Sequence, residues 1–154
     1  MLRMSKLADY GMVIMNILAL APGRLYSAKE LAQKAHIGLP TVSKLLKILL
    51  KALLVESLRG SEGGYRLKRL PDKITVADVI VAIEGIPALT ECAAGKHLCS
   101  QETICSVRNN WLLVNRVILS SLQSITLLDM THSMIEHPII LHGIKLEGSS
   151  LHSR

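Results

Sequence analysis

The 154-residue chain has no phenylalanine, one tryptophan and three tyrosines, so aromatics supply only 3% of it. Proteins that read single-stranded RNA stack bases on aromatic side chains, and few such platforms exist here. Cysteines number three, an odd count. Secreted disulfide scaffolds carry many cysteines in even numbers, so three thiols point to a reducing compartment, the cytoplasm. No uninterrupted apolar run of about 18 residues occurs, which argues against a membrane span. The N-terminal stretch MLRMSKLADYGMVIMNILALAPG is broken by Lys6, Asp9 and Asn16, unlike a secretory signal. No paired carboxylates, phosphate-binding loop or nucleophile triad stands out, so the chain reads as a non-enzyme without a small-molecule substrate.

What is present is aliphatic. Hydrophobic residues make up 49% of the chain, dominated by Leu, Ile, Val and Ala. This composition favours helices packed on helices, and the length suits one domain, with or without an appended arm. Charge is segregated. Residues 1–73 hold 13 Lys and Arg against 5 Asp and Glu, a net +8; residues 74–154 hold 5 against 7, a net −2. The first part is built to meet a polyanion and the second to do something else.

Residues 1–73 read as a winged helix-turn-helix. An apolar-rich helix from about Ser5 to Ala21 stops at Pro22 and Gly23. In YSAKEL, Ser27 and Glu30 have capping-box spacing, and Tyr26 and Leu31 occupy the two positions of a hydrophobic staple. After a short turn at Gly38, Pro40 suits the first turn of a third helix. On that helix Leu45, Leu46, Leu49 and Leu53 fall within roughly 60° of Val42, while Lys44, Lys47 and Lys51 lie at roughly 140–200°. Such a helix docks one face on a core and offers cations to phosphates, with Pro40, Thr41, Ser43 and Lys44 where a recognition helix reaches base edges. A solvated lysine face is the alternative. The wing follows: Val55–Leu58 and Tyr65–Leu67 flank a turn containing Gly60, Gly63 and Gly64. Arg59 enters that turn, and Arg66, Lys68 and Arg69 follow it. An arginine at a hairpin tip suits the minor groove of double-stranded DNA. The order helix, helix, turn, helix, basic hairpin is more specific than any of its parts.

Residues 74–131 read as a loop and a dimerisation helix, and 132–154 as a C-terminal extension, partly disordered, whose His132, His137, His142 and His152 fit no ligand pattern. Thr75 caps a short helix ending near Gly85. A helix of about 25 residues is expected over 106–130. Val107, Trp111, Val114, Ile118, Leu122 and Ile125 form one stripe on it, and Leu112, Leu113, Val117, Leu119 and Leu127 a second. A helix apolar nearly all round needs covering on more than one side, and a two-fold homodimer is the simplest solution. The fold class is therefore mainly α: a winged helix-turn-helix plus a long dimerisation helix. Paired recognition helices would reach the half-sites of a palindromic operator.

The thiols lie between these parts, in ECAAGKHLCSQETICSVRNNW: Cys92, Cys99 and Cys105, separated by six and five residues. The CxxC spacing of zinc knuckles is absent. Wider spacing on a loop suits an iron–sulfur cluster whose fourth ligand comes from elsewhere. A redox switch, a zinc-dependent cluster-free regulator and plain small hydrophobes are the other readings, and an electron-transfer module is a further one.

These motifs together carry a resemblance. MLRMSKLADYG, LPTVSKLLK, LRGSEGGYRL, TVADVIVAIEG and CSVRNNW are similar to the IscR/NsrR family of bacterial iron–sulfur-sensing transcription regulators, nearest to the regulators of SUF cluster-assembly genes. The resemblance covers Met1 to about Met130. It implies a homodimer in which Cys92, Cys99 and Cys105 of each subunit bind a cluster whose gain or loss alters promoter affinity. Where one branch of that family has a histidine ligand completing a 2Fe–2S site, this chain has Arg108, which cannot ligate because it stays protonated. In the other branch an aspartate of the partner subunit completes a 4Fe–4S site, and Asp9 matches its position. The resemblance thus implies 4Fe–4S with Asp9 as fourth ligand, with 2Fe–2S, or His97 ligating in cis, as alternatives. A helix-start carboxylate complementing the helix dipole is the plain reading of Asp9.

Overall fold

The computed structural model describes residues 4–132 except 61 and 97, together with the backbone of two short paired strands, Ile140–Leu141 and Ile144–Lys145. His97 and nearly all of the C-terminal extension lie outside the described residues. Helix α1 (Lys6–Leu20) starts at Ser5, whose Oγ accepts from the Ala8 N–H at 3.2 Å. It is the centre of the molecule: Ala8, Ile14, Met15 and Leu18 are buried, and α1 packs on the helices that follow. Helix α2 (Ala28–Ala35) starts at Ser27, whose Oγ accepts from Glu30 N–H at 3.1 Å. Only half of the expected capping box forms, because the Glu30 carboxylate turns to Arg24 at 2.5 Å. Tyr26 and Leu31, the staple pair, are both buried.

Helix α3 (Leu39–Lys51) carries Pro40 in its first turn and buries Val42, Leu45, Leu46 and Leu49. Leu53 departs from the expected face. The helix ends at Lys51, Leu53 adopts φ 58° in the left-handed region and is 58% exposed, and Leu54 takes the core position instead. The chain then enters β1 (Val55–Leu58), which pairs antiparallel with β2 (Gly64–Leu67), Val55 opposite Leu67 and Glu56 opposite Arg66. A separate bridge ties this wing to the entry of α2: Tyr26 N–H donates to Tyr65 O at 3.0 Å, and Tyr65 N–H to Tyr26 O at 2.8 Å.

After one 3-10 turn at Pro71–Lys73, α4 (Val76–Glu84) begins with a reciprocal capping box between Thr75 and Asp78. A four-residue helix α5 (Glu91–Ala94) precedes α6 (Arg108–Ser124), and α7 (Leu127–Thr131) follows. The single helix expected over 106–130 is therefore two. Thr126 and Asp129 form a second capping box, so residue 126 starts a helix and Ile125 is extended. The starts of α4 and α7 pin one another: Val76 N–H donates to Ile125 O and Leu127 N–H to Ile74 O, each at 2.8 Å. Leu127 is consequently buried in the same core as α1, not displayed on the long helix.

The core does not stop at residue 73. Ile74, Val76, Val79, Ile80 and Leu127 pack with Met15, Leu18, Leu31, Leu46 and Leu49 as one cluster. From 81 to 126, by contrast, no described residue is buried. Helix α6 lies mainly against α4 and α5, with Leu122 packed on the core, leaving Trp111, Leu113, Val114 and Val117 largely exposed.

Candidate DNA-binding face and thiol loop

The recognition helix arises from the segregation of its residues around one cylinder. Its buried leucines fix α3 on α1 and α2, which forces Lys44, Lys47 and Lys51 into solvent. Pro40 is exposed, and Thr41 and Ser43 are half-buried beside it at the helix start. No side chain caps that start; Pro40 has no N–H to offer, and Thr41 N–H donates to Gly38 O at 3.0 Å, so side chains rather than a row of free N–H groups face a phosphate there. Arg59 is exposed just before Gly60, whose φ of 123° makes the tight wing turn. Pro40, Thr41, Ser43, Lys44 and Lys47 thus lie on α3, and Arg59 lies at the entry to the wing turn.

Two wing arginines differ from the sequence expectation. Arg66 donates from Nε to Glu56 Oε1 at 2.6 Å across the ladder, so a phosphate must compete with a carboxylate for it. Arg69 donates to Lys73 O at 3.1 Å and lies 3.6 Å from Asp78, at the start of α4. Arg24 also lies beside the wing. Its guanidinium lies 4.4 Å from the centre of the Tyr26 ring and pairs with Glu30, next to the strand-like bridge that holds the wing. The sequence signal for this contact is its place two residues before Tyr26 in an extended segment, which puts the two side chains on one side.

The thiol loop is built differently. Cys92 sits in α5 with Sγ 3.1 Å from Thr90 Oγ1. Cys99 and Cys105 lie in consecutive turns, Cys99 O accepting from Glu102 N–H at 3.2 Å and Cys105 O from Arg108 N–H at 3.4 Å. All three are free and half-buried. Asn115 of α6 anchors the approach to the loop: its Oδ1 accepts from Leu89 N–H and its Nδ2 donates to Pro87 O, each at 3.0 Å. A cavity of about 390 Å³ is lined by Cys99, Ser100, Glu102, Thr103 and Arg108. Arg108 Nη2 donates to Glu102 Oε1 at 2.8 Å, whereas its Nε is buried and has no hydrogen-bond partner among the described residues. An unpaired buried donor costs about 1–3 kcal/mol.

Asp9 is exposed in the first turn of α1, where it also complements the helix dipole. Among the described residues no group of three or more His, Cys, Asp or Glu side chains is arranged to hold a metal ion, so the chain alone does not bring Asp9 and the three cysteines together. The donor chemistry nevertheless fits an iron–sulfur cluster: three thiols outside any disulfide share one loop, beside a cavity lined by Arg108, whose buried Nε has no acceptor among the described residues. Among the described residues no helix is long and apolar enough to cross a membrane.

Known proteins share this fold. Residues 4–133 match the Rrf2 family model, described as an iron-dependent transcriptional regulator. Protein rrf2 of Nitratidesulfovibrio vulgaris is 32% identical over 68% of this chain and 69% of its own length. The solved structure of CymR (YrzC), the global cysteine regulator of B. subtilis, aligns with TM-score 0.67 at 31% identity, covering 85% of this chain and 97% of that one. That of T. potens IscR aligns with TM-score 0.66 at 33% identity, covering 84% and 85%. The relatives are regulators of transcription and not enzymes. The winged helix, its lysine face and the family match over nearly the whole described chain make this protein a member of the Rrf2 family of DNA-binding transcriptional regulators.

Proposed function

We propose that this regulator senses iron–sulfur clusters in the cytoplasm and represses cluster-assembly genes of the SUF type as a homodimer on a palindromic operator. The observation that carries the reading is the thiol loop, with Cys92, Cys99 and Cys105 free within 14 residues and leading directly into α6. A 4Fe–4S cluster on these thiolates takes Asp9 of the partner subunit as fourth ligand. Arg108 cannot serve, because a guanidinium has no lone pair to give. A ligand drawn from the partner ties the cluster to the geometry of the dimer, and so to the spacing of the two α3 helices. Pro40, Thr41, Ser43, Lys44, Lys47 and Arg59 meet DNA, and Arg66 joins them when Glu56 releases it.

Anaerobic reconstitution with iron and sulfide followed by native mass spectrometry tests this directly. The expected result is a coloured dimer carrying one 4Fe–4S cluster per subunit, with Asp9→Ala losing the cluster while the apo dimer stays folded. Retention equal to wild type in Asp9→Ala removes Asp9 as ligand. The second reading is a cluster-free regulator whose thiols respond to oxidation or hold zinc, favoured by the structural likeness to CymR. A colourless product retaining stoichiometric zinc selects it.

A further inference from the structure

We infer that Arg108 positions and polarises the loaded thiol loop, giving an N–H···S hydrogen bond from Nε and a positive charge to the sulfur of Cys99. The inference rests on the cluster reading above and deepens it. Four observations bear on it. Arg108 Nε is buried with no acceptor among the described residues, whereas the same guanidinium is held from its other end by Glu102 at 2.8 Å. Arg108 and Cys99 line one cavity. Cys92 Sγ already has a hydroxyl neighbour in Thr90, and Cys99 has no such contact among the described residues. Finally, Arg108 opens α6, the end of a helix where a cation opposes the dipole, so its placement there favours a further anion beside Glu102.

The chemistry supplies one. Three thiolates and a carboxylate carry four negative charges, of which a cationic iron–sulfur core offsets only part, so a donor and a positive charge beside them favour retention. Glu102 fixes the guanidinium but adds a negative charge of its own. Arg108 and Glu102 therefore act on a bound cluster with opposite sign while contributing to the same ion pair. Hydrogen bonds to sulfur and local net charge are among the levers that set cluster potentials.

This opposition gives the test. Wild type, Arg108→Met and Glu102→Gln are reconstituted anaerobically, and the midpoint potential and the rate of cluster loss to a chelator are measured. Arg108→Met should lower the potential by about 59 mV for each tenfold loss in relative hold on the reduced form. It should also shed the cluster about 10- to 100-fold faster, the range found when partners of metal ligands are removed. Glu102→Gln should raise the potential. Both substitutions break the ion pair, so a merely structural role moves both potentials the same way or neither, and either outcome overturns the inference. If Arg108→Met does not fold, a potential in Glu102→Gln at or below wild type still overturns it. A wild-type protein that takes up no cluster fails the underlying reading instead, and is told apart by its lack of visible absorption.

Discussion

Gly64 runs past the backbone of Tyr26 where the wing joins the entry of α2. A Cβ there would stand 2.7 Å from Tyr26 O and 2.8 Å from its carbonyl carbon. Backbone cannot swing aside as a side-chain end can, so Gly64→Ala must part the two hydrogen bonds between Tyr26 and Tyr65. We expect a loss of about 1–3 kcal/mol, the usual cost of overpacking. At about 2–4 °C per kcal/mol for a chain this long, calorimetry will read it directly. DNA affinity should fall further than stability explains, because Arg59 rides on the displaced hairpin. Lys47, exposed on α3, acts without such geometry. Lys47→Ala should weaken binding to all sequences alike and reduce the slope of log K against log salt by about one, as measured by fluorescence anisotropy across a salt series. Composition and spacing revealed the lysine stripe, since periodicity fixes which face a residue takes. They did not reveal the Arg66–Glu56 pair, which depends on strand register, or the Arg24–Tyr26 contact, which depends on how the wing folds back.

Elements follow the same division. Helix starts at Ser5, Ser27 and Thr75 were legible because each is a local signature: an oxygen at N-cap, satisfied three residues on. The start at Thr126 has that signature too, with Asp129 at the third position, but apolar periodicity continues across it and hides the break. Only the pairing of Val76 with Ile125 and of Leu127 with Ile74, between segments some 50 residues apart in sequence, makes the break necessary. Thr126→Ala removes the N-cap hydroxyl, which accepts from Asp129 N–H and donates to the Asp129 carboxylate. It should cost about 0.5–2 kcal/mol. Because α7 carries Leu127 into the core of α1, chemical denaturation should show this loss in the single transition of the winged helix. A separate early transition confined to α6 would show instead that α7 belongs to the arm.

The whole molecule is unequal in how it is held. Every buried residue described lies in the winged helix, in α4 or at Ile74 ahead of it, or at Leu127 of α7, while α6 has none, despite a tryptophan and several leucine, isoleucine and valine residues. A solvated helix with such faces is not stable on its own account; something covers it. On the proposed two-fold operator the occupant is a second copy, and the same proposal brings Asp9 of one subunit within reach of the loop of the other. Val114 and Val117 are 42% and 56% exposed on α6, and neither lies in the buried cluster. Replacing both by glutamate leaves the core untouched and places like charges on a self-complementary surface, where each meets its own copy. We expect a folded monomer by analytical ultracentrifugation, with the helix content and melting behaviour of the winged helix retained. Binding to a single half-site should survive at wild-type strength per site. Binding to the full palindrome should lose the gain of tethering two recognition helices, about 10²–10⁴-fold. Cluster retention should fall with it, since the partner's carboxylate is no longer at hand. A variant that remains dimeric would put the interface elsewhere, and one that becomes monomeric yet keeps its cluster would place the fourth ligand within the chain.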